Sequence, residues 1–401
     1  MAQTIKQAVI LAGGRGTRLQ PLTLTLPKPM APVNGRPFLE YQIELLRKNG
    51  IEDIVLLLGY LPEKIVEHFG DGKKFGVRIR HSITDVDDDT GTRLKKAEAL
   101  LDDRFLLMYS DNYLPIELRK MVAFHDAKGT AGMVTVYNNR DGGGEYGIKN
   151  NVKVEEGGSV SYYGPASDDL ALANATDVGF FIMPKMVVRM LPDENCSFQN
   201  TVLPKLAREG QLVAYRTDHP YYPITSLAHL PIIEKFLEPK KVIFLDRDGV
   251  INKKAADDDY VKHWGEFEFV PGAVEAVKLL TDAGYQIYII SNQRGIARGL
   301  MTENDLADIH RRMLDELSRA GGRIAAIYYC PHGKEDNCFC RKPKPGMFFR
   351  AAREHHIDLT KAVAIGDSAS DQAASEAAGC RTIIAKEGDL LKVIQSLIRE
   401  L

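Results

Sequence analysis

The sequence predicts an α/β protein with two three-layer domains whose sheets are mostly parallel. Strand-like apolar runs, such as residues 9–13, 53–60, 104–111 and 286–291, alternate with amphipathic helical segments along the 401 residues. Uninterrupted Val, Ile and Leu runs of this kind are typical of parallel strands that helices cover on both faces. A chain of this length also fits two or three domains better than one.

A boundary between the domains is predicted near residue 240. The helical segment 231–237 is followed by Glu238-Pro239-Lys240-Lys241, where the proline ends the helix and the charged side chains favour solvent. A new apolar strand begins directly afterwards. We therefore predict one domain at 1–237 and a second at 241–401, each long enough to bury its own core.

Composition excludes several classes of function. Lys plus Arg number 52 and Asp plus Glu number 54, so the net charge is −2 and no long basic run indicates nucleic-acid binding. No apolar stretch approaches the roughly 20 residues that span a bilayer, and the first residues lack the pattern of a signal peptide. Five cysteines do not make an even secreted disulfide set. We expect a soluble, cytoplasmic protein, and the sequence does not indicate its oligomeric state.

A glycine-rich turn follows the first predicted strand, in the run VILAGGRGTR at residues 9–18. Without Cβ atoms, such a turn lets phosphate oxygens approach the backbone N–H groups, and the following helix adds a partial positive charge. The glycines of the turn are Gly13, Gly14 and Gly16. The cations beside it are Arg15, Arg18 and the proline-flanked Lys28. The pattern predicts a phosphate-binding site rather than a merely structural turn.

The N-terminal half resembles the sugar-1-phosphate nucleotidyltransferases in three segments: GGRGTR, PLTLTLPKPMAPVNGRPFLEYQIELL and GIEDIVLLLGY. The resemblance covers residues 5–237 and is greatest to the branch that activates mannose and D-glycero-D-manno-heptose. In that family a sugar phosphate attacks the α-phosphorus of a nucleoside triphosphate and releases pyrophosphate, so catalysis is mostly positioning and charge neutralisation.

This resemblance implies a role for particular residues. It gives GTP as the nucleotide and implies that Asp111, which follows a buried strand, binds Mg²⁺. Glu145 and Asp177 would contact the sugar. The residues implied in binding the triphosphate are Gly13, Gly14, Arg15, Gly16, Thr17, Arg18 and Lys28.

Three positions depart from the family pattern. Arg93 stands where a small residue is usual, Tyr163-Gly164 replaces a Glu-Lys pair, and Pro223 stands where a second acidic metal ligand is expected. A proline side chain cannot bind a metal ion. One alternative is therefore an N-terminal half that binds nucleotide without turnover, and another is a half that accepts a different sugar.

Two aspartates, Asp246 and Asp248, follow the first predicted strand of the C-terminal half. Alternate residues of a strand point to the same side, so one carboxylate can attack phosphorus while the other protonates the leaving oxygen. Both can also approach one Mg²⁺. Further polar groups follow later in the chain, in predicted strand ends or a proline-stiffened segment: Ser291, Asn292, Lys342 and Asp367. Together they predict a phosphate site at the carboxyl edge of a sheet.

The order of these residues resembles the haloacid dehalogenase superfamily of phosphatases over residues 241–401. The resemblance implies an aspartyl-phosphate on Asp246, with Asp248 as acid and then base. Ser291 and Lys342 would neutralise the transferred group. Substrate contacts would come from Asn292 and Arg341, and Mg²⁺ ligands from Asp246, Asp248 and Asp367. The two resemblances imply two Rossmann-like domains, a nucleotidyltransferase fold and then a haloacid dehalogenase fold.

A cluster of metal-binding residue types lies at Cys330, His332, Cys338 and Cys340. Three thiolates and one imidazole suit a tetrahedral Zn²⁺ site, and four protein ligands leave no open position, which favours a structural role. The polar loop between the ligands argues against a merely buried cysteine cluster. The metal would hold the segment that leads directly into Arg341 and Lys342.

The zinc loop narrows the second resemblance to phosphatases that act on D-glycero-D-manno-heptose 1,7-bisphosphate or on histidinol phosphate. Only the first substrate leaves a sugar 1-phosphate that a nucleotidyltransferase can use. The fusion therefore predicts an enzyme of nucleotide-activated heptose synthesis that makes D-glycero-α-D-manno-heptose 1-phosphate and joins it to GMP. Histidinol-phosphate hydrolysis and a non-enzymatic assembly or sensor role are the alternatives.

Overall fold

Residues 4–139, 146, 148–256 and 259–399 are described by the computed structural model. The chain divides into two units, Met1–Leu237 and Glu238–Leu401. Each unit has a central, mostly parallel sheet with helices packed on it, so the predicted α/β fold class is confirmed. A search of the described residues finds no helix that combines the length and the apolar character needed to cross a membrane.

The first unit is built around a mixed sheet. Its described strands are β1 (Gln7–Ala12), β2 (Pro32–Val33), β3 (Arg36–Pro37), β4 (Asp53–Leu58), β5 (Arg78–Ile83), β6 (Arg104–Tyr109), β7 (Asn112–Tyr113), β8 (Gly132–Tyr137), β9 (Asn150–Val154), β10 (Val160–Ser167), β11 (Thr176–Pro184), β12 (Leu212–Thr217) and β13 (Tyr222–Pro223). Its described α-helices are α1 (Phe38–Lys48), α2 (Pro62–Phe69), α3 (Thr90–Lys96), α4 (Leu118–Lys128), α5 (Phe198–Arg208) and α6 (Leu230–Leu237).

Seven of these strands form the main sheet, in the order β12-β8-β11-β6-β1-β4-β5. Neighbouring strands run parallel except that β11 is antiparallel to both β6 and β8. All six residues of β1 are buried, with Ala8 and Ile10 in the core on one face and Val9 and Leu11 in the core on the other. β1 lies inside the sheet between β6 and β4, and the glycine turn begins at its carboxyl end.

The second unit has a fully parallel sheet in the order β16-β15-β14-β17-β18. Its strands are β14 (Lys241–Leu245), β15 (Tyr285–Asn292), β16 (Ala326–Cys330), β17 (Val363–Gly366) and β18 (Arg381–Ile384). Its α-helices are α7 (Ala273–Asp282), α8 (Glu303–Arg319), α9 (Gly346–His355), α10 (Ala369–Ala378) and α11 (Leu390–Arg399). β14 is central, so Asp246 leaves the sheet at the middle of its carboxyl edge.

A capping box fixes the start of α10 beside that edge. The Ser368 side chain accepts a hydrogen bond from the Asp371 backbone N–H, and the Asp371 carboxylate accepts one from the Ser368 backbone. This arrangement satisfies N–H groups that a helix start leaves without partners. It also places the Asp371 carboxylate next to the end of β17 and to Asp367.

Candidate active sites and metal centres

The glycine turn of the first unit forms one wall of a cavity of about 310 Å³. Gly16 has φ 62°, in the left-handed region that favours glycine, and an added Cβ would lie 3.0 Å from the Lys28 side chain. A short 3₁₀ helix, Thr17–Leu19, follows the turn instead of a longer α-helix. The predicted triphosphate residues that line the cavity are Gly13, Gly14, Gly16, Thr17, Arg18 and Lys28.

Arg15 lies elsewhere. Its guanidinium donates to the Asp87 carboxylate at 2.7 Å, and both side chains are exposed. Arg15 is not among the residues that line the cavity. The structure thus brings together six of the seven residues implied in triphosphate binding and holds the seventh in a surface ion pair.

Lys28 and Asp111 meet inside the same cavity. The Lys28 Nζ lies 2.7 Å from Asp111 Oδ2. Pro223 of β13 pairs with Asn112 of β7, and the Ile224 N–H donates to the Asp111 carbonyl at 2.9 Å. The proline therefore stands directly beside the predicted metal ligand. In the described ranges, no group of three metal-binding side chains includes Asp111.

Arg93, the bulky residue at a small-residue position, is buried beneath the glycine turn. Its guanidinium donates to the carbonyls of Leu58 at 2.8 Å and Val86 at 3.1 Å, with a longer contact of 3.3 Å to Gly13 O. Burial lowers its pKa from the ordinary arginine value. An added Cβ on Gly13 would lie 2.4 Å from the Arg93 guanidinium, so the present arginine conformation depends on that glycine. Arg93 thus links the ends of β1 and β4 to the segment that borders the cavity.

Asp177 does not line this cavity. Its carboxylate accepts hydrogen bonds from the Tyr163 hydroxyl at 2.5 Å and the Gly179 N–H at 2.7 Å, and burial raises its pKa to about 6. Asp177 thus has two protein partners, and its predicted contact with the sugar stays a prediction. Glu145 and Gly147 of the predicted sugar-contacting turn lie outside the described residues.

In the second unit, Lys342 reaches the predicted nucleophile. Its Nζ lies 2.8 Å from Asp246 Oδ1, also forms an ion pair with Asp371, and donates to the Ile290 carbonyl at 3.0 Å. The Lys342 side chain is only 4 % exposed, so its charge acts with little screening by water. Burial raises the pKa of Asp246 to about 7, against the lowering effect of Lys342.

Three carboxylates converge next to this lysine: Asp246, Asp367 and Asp371. One oxygen from each lies within 4.8 Å of the others. Asp367 Oδ1 is buried and accepts no hydrogen bond from any described residue, while Oδ2 lies 2.5 Å from Lys254 Nζ. Converging carboxylate oxygens, one of them unsatisfied, fit the hard ligand set that Mg²⁺ prefers.

Asp248 is not part of that cluster, and its predicted role as a Mg²⁺ ligand stays a prediction. Its carboxylate accepts hydrogen bonds from Arg247 Nη2 at 2.8 Å, Asn252 Nδ2 at 2.9 Å and Gln293 Nε2 at 2.8 Å. Burial acts to raise the pKa of Asp248, but these donors outweigh it and hold the pKa below its usual range. Asp371 takes the third place among the converging carboxylates.

The side chains of Asn292 and Arg341 form hydrogen bonds with other protein groups. Asn292 Oδ1 accepts from the Lys342 N–H and its Nδ2 donates to the Lys342 carbonyl, both at 3.1 Å, so Asn292 clamps the backbone of the lysine. Arg341 Nη1 donates to the His332 carbonyl at 3.2 Å. Ser291 is 1 % exposed, and its Oγ accepts from Gln293 Nε2 at 2.8 Å. The predicted substrate contacts of Asn292 and Arg341 stay predictions.

The four predicted zinc ligands come together. Sulfur atoms of Cys330 and Cys338 lie 3.6 Å apart, and Cys340 Sγ lies 3.4 Å from each of them. His332 Nδ1 lies 3.3 Å from Cys340 Sγ. A tetrahedron with Zn–S bonds of about 2.3 Å has S···S edges of about 3.8 Å, so the donor set and its spacing fit a zinc ion. Because Cys330 ends β16, the cluster ties the loop before Lys342 to the sheet.

Five residues of the second site were not predicted from the sequence: Arg247, Asn252, Lys254, Gln293 and His310. Arg247 and Gln293 lie inside the DRDG and SNQRG segments, where adjacency to predicted residues is a usable signal. His310 comes from α8, and nothing in its local sequence indicates that it reaches Arg247.

Known proteins share these two units. The nucleotidyl transferase family model matches residues 7–211, more than half of the chain, and a HAD-hydrolase-like model matches residues 339–391. The D-glycero-beta-D-manno-heptose-1,7-bisphosphate 7-phosphatase of Bordetella bronchiseptica is 41% identical over 154 residues, which are 38% of this chain and 85% of that protein.

Two solved structures show partial likeness. The D,D-heptose 1.7-bisphosphate phosphatase from B. bronchiseptica, in complex with magnesium and phosphate, covers 40% of this chain and 99% of its own, with 37% identity and a TM-score of 0.39. HddC from Yersinia pseudotuberculosis covers 57% of this chain and 98% of its own, with 22% identity and a TM-score of 0.48.

The molecule is an enzyme that joins a nucleotidyltransferase to a phosphatase, as the sequence predicted. The chain belongs to the nucleotidyl transferase family and, over its second unit, to the family of the heptose-bisphosphate 7-phosphatases.

Proposed function

We propose that the chain catalyses two consecutive steps in the synthesis of a nucleotide-activated heptose. The second unit removes the 7-phosphate of D-glycero-D-manno-heptose 1,7-bisphosphate, and the first unit joins the resulting heptose 1-phosphate to GMP from GTP. The observation that carries this proposal is the fusion itself, because one family leaves the sugar 1-phosphate that the other family uses. The first unit is then the nucleotidyltransferase domain and the second the phosphatase domain.

In the phosphatase step, an Asp246 carboxylate oxygen attacks phosphorus and the bond from phosphorus to O7 breaks. Asp248 gives a proton to O7, so the heptose leaves as an alcohol; this requires Asp248 to be protonated once substrate is bound, against the donors that hold its pKa low. Asp248 then takes a proton from the water that attacks the aspartyl-phosphate, inorganic phosphate leaves and Asp246 is restored. Lys342, whose Nζ lies 2.8 Å from Asp246 Oδ1, would neutralise charge on the transferred group, and the Ser291 hydroxyl would donate a hydrogen bond to it.

Asp246, Asp367 and Asp371 would hold Mg²⁺, which neutralises phosphoryl charge when bound. Asp367 supports this assignment most directly because one of its buried oxygens lacks a donor among the described residues. The Lys254 ammonium lies beside the other Asp367 oxygen, where its positive charge competes with Mg²⁺ for that carboxylate.

In the first unit, the cavity beside Gly13 and Gly14 receives the triphosphate, with the Lys28 ammonium directed at its oxygens. Asp111 would bind Mg²⁺ in the same cavity, which requires Lys28 to exchange Asp111 for phosphate. The choice of GTP follows the family resemblance alone.

A second candidate is a working phosphatase whose first unit binds nucleotide without turning it over. Pro223 beside Asp111 favours it, because that position offers no second carboxylate for a metal ion.

In the experiment that tests this proposal, the purified chain is incubated with Mg²⁺ and each anomer of the heptose 1,7-bisphosphate, with and without GTP, and the products are measured. We expect one equivalent of phosphate in both cases, and pyrophosphate with a GDP-linked heptose only when GTP is present. The B. bronchiseptica relative is named for the β-anomer, whereas the resemblance of the first unit implies the α-anomer of the 1-phosphate. Histidinol phosphate serves as the comparison substrate, and a preference for it would refute the proposal.

Zinc at the cysteine cluster gives a prediction of its own. Elemental analysis of the purified chain is expected to find about one zinc per molecule, because the four donors close a tetrahedral site. Cys340→Ser removes one ligand, so zinc content and the Tm of the second unit should both fall. Cys196→Ser, in the first unit and outside the cluster, is the control that keeps zinc. Full zinc content in Cys340→Ser would contradict the assignment.

A further inference from the structure

Arg247 is a charged side chain buried in the phosphatase site, at 1 % exposure. Its Nη2 lies 2.8 Å from Asp248 Oδ1 and 3.0 Å from Asp248 Oδ2, and its Nε lies 3.3 Å from Oδ1. Burying a guanidinium is costly unless it is paired, and Asp248 is the carboxylate that pairs with it here. The two neighbours in sequence therefore form one buried unit.

The far side of the guanidinium is also held. His310 of α8 lies with Nε2 3.3 Å from Arg247 Nη1, and Gln293 Oε1 lies 3.3 Å from Nη2. His310 is itself 8 % exposed, so it has little room to move. Gln293 contacts both partners, since its Nε2 donates to Asp248 Oδ2. The arginine thus connects the acid of the proposed mechanism to a distant helix.

The contacts define which way the Asp248 carboxylate faces. Arg247 and Asn252 donate to Oδ1, while Gln293 and Arg247 donate to Oδ2, so rotation of the carboxyl group breaks several hydrogen bonds at once. A general acid must hold its proton within hydrogen-bond reach of the leaving oxygen. Without Arg247, Asp248 would retain two neutral amide donors and lose its charged partner.

We propose that Arg247 is a positioning residue that orients Asp248 for proton transfer, with His310 supporting the arginine. The inference rests on the proposed phosphatase function and adds a residue that acts only through Asp248. The backbone carbonyl of Arg247 accepts hydrogen bonds from the N–H groups of Ile251 and Asn252, and a substitution of the Arg247 side chain keeps these bonds. The role of the side chain can therefore be tested separately from the turn.

The test is a double-mutant cycle with Arg247→Gln and Asp248→Asn in the full chain. Single-turnover release of heptose phosphate, with enzyme in excess, makes slow rates measurable. We expect Arg247→Gln alone to lower the single-turnover rate by about 30-fold or more, while the KM from separate steady-state assays changes by less than about threefold. In the Asp248→Asn background the same change should lower the rate by less than about threefold, because the group it positions is already gone. Arg247→Lys should restore part of the rate.

The opposite result is equally clear. A loss of the same size in both backgrounds would show that Arg247 acts independently of Asp248 and would overturn the inference. Arg311→Gln, an exposed arginine on α8, is the matched control and should keep the full rate. Should wild-type enzyme prefer another phosphomonoester, the proposed substrate fails, and the same cycle measured on that ester still tests Arg247.

Discussion

Asp246→Asn is expected to lower phosphate release by about 10⁴-fold or more, the largest effect of any substitution in the second unit. An amide cannot form the acyl-phosphate bond, and no other carboxylate has the same relation to Lys342 at the end of β14. Loss of one of three converging carboxylates also relieves their mutual repulsion, so the fold should be retained. Steady-state phosphate release from the heptose bisphosphate, together with Tm, measures both expectations.

Two controls separate this effect from unfolding. Asp389→Asn, which changes an aspartate paired with Lys392 outside the site, should keep phosphatase activity. The Asp246→Asn chain should also keep its transferase activity with supplied heptose 1-phosphate and GTP, because its first unit is unchanged. Residual phosphatase activity above about 1 % of wild type would place the nucleophile on another residue.

Much of the phosphatase site was predictable because its residues lie at strand ends or close together in sequence. Asp246 follows an apolar run, and the four zinc ligands fall between Cys330 and Cys340, so a local pattern indicates each of them. The same reasoning assigned Asp248 to the Mg²⁺ ligands, whereas the three converging carboxylates are Asp246, Asp367 and Asp371. In the fold Asp248 pairs with Arg247, and the sequence shows only that the two are adjacent.

Contacts between distant segments were the part that sequence could not supply. His310 reaches Arg247 across 63 positions, and Lys28 reaches Asp111 across 83. The direction of β11 was also hidden, since a strand buried on both faces has the same apolar run whether it is parallel or antiparallel. Arg93 was noticed as a departure, but its hydrogen bonds to carbonyls at the ends of two strands required the fold.

Lys28 carries the second large prediction, for the first unit. Lys28→Met is expected to lower GTP-dependent pyrophosphate release by about 10²- to 10³-fold, because it removes a charge that neutralises the phosphates in the cavity that holds Asp111. Phosphate release by the second unit should not change. Pyrophosphate formation from GTP and heptose 1-phosphate, assayed with Asp246→Asn in the same chain, isolates the transferase step.

Lys73→Met is the matched control, since Lys73 is an exposed lysine of the same unit paired only with Asp71 at the surface. An unchanged rate in Lys28→Met would remove Lys28 from the mechanism. If the wild-type chain itself forms no pyrophosphate, GTP binding by calorimetry decides between the two proposed functions. Binding that Lys28→Met weakens and that yields no product would establish a first unit that holds nucleotide without transferring it, as the proline beside Asp111 favours.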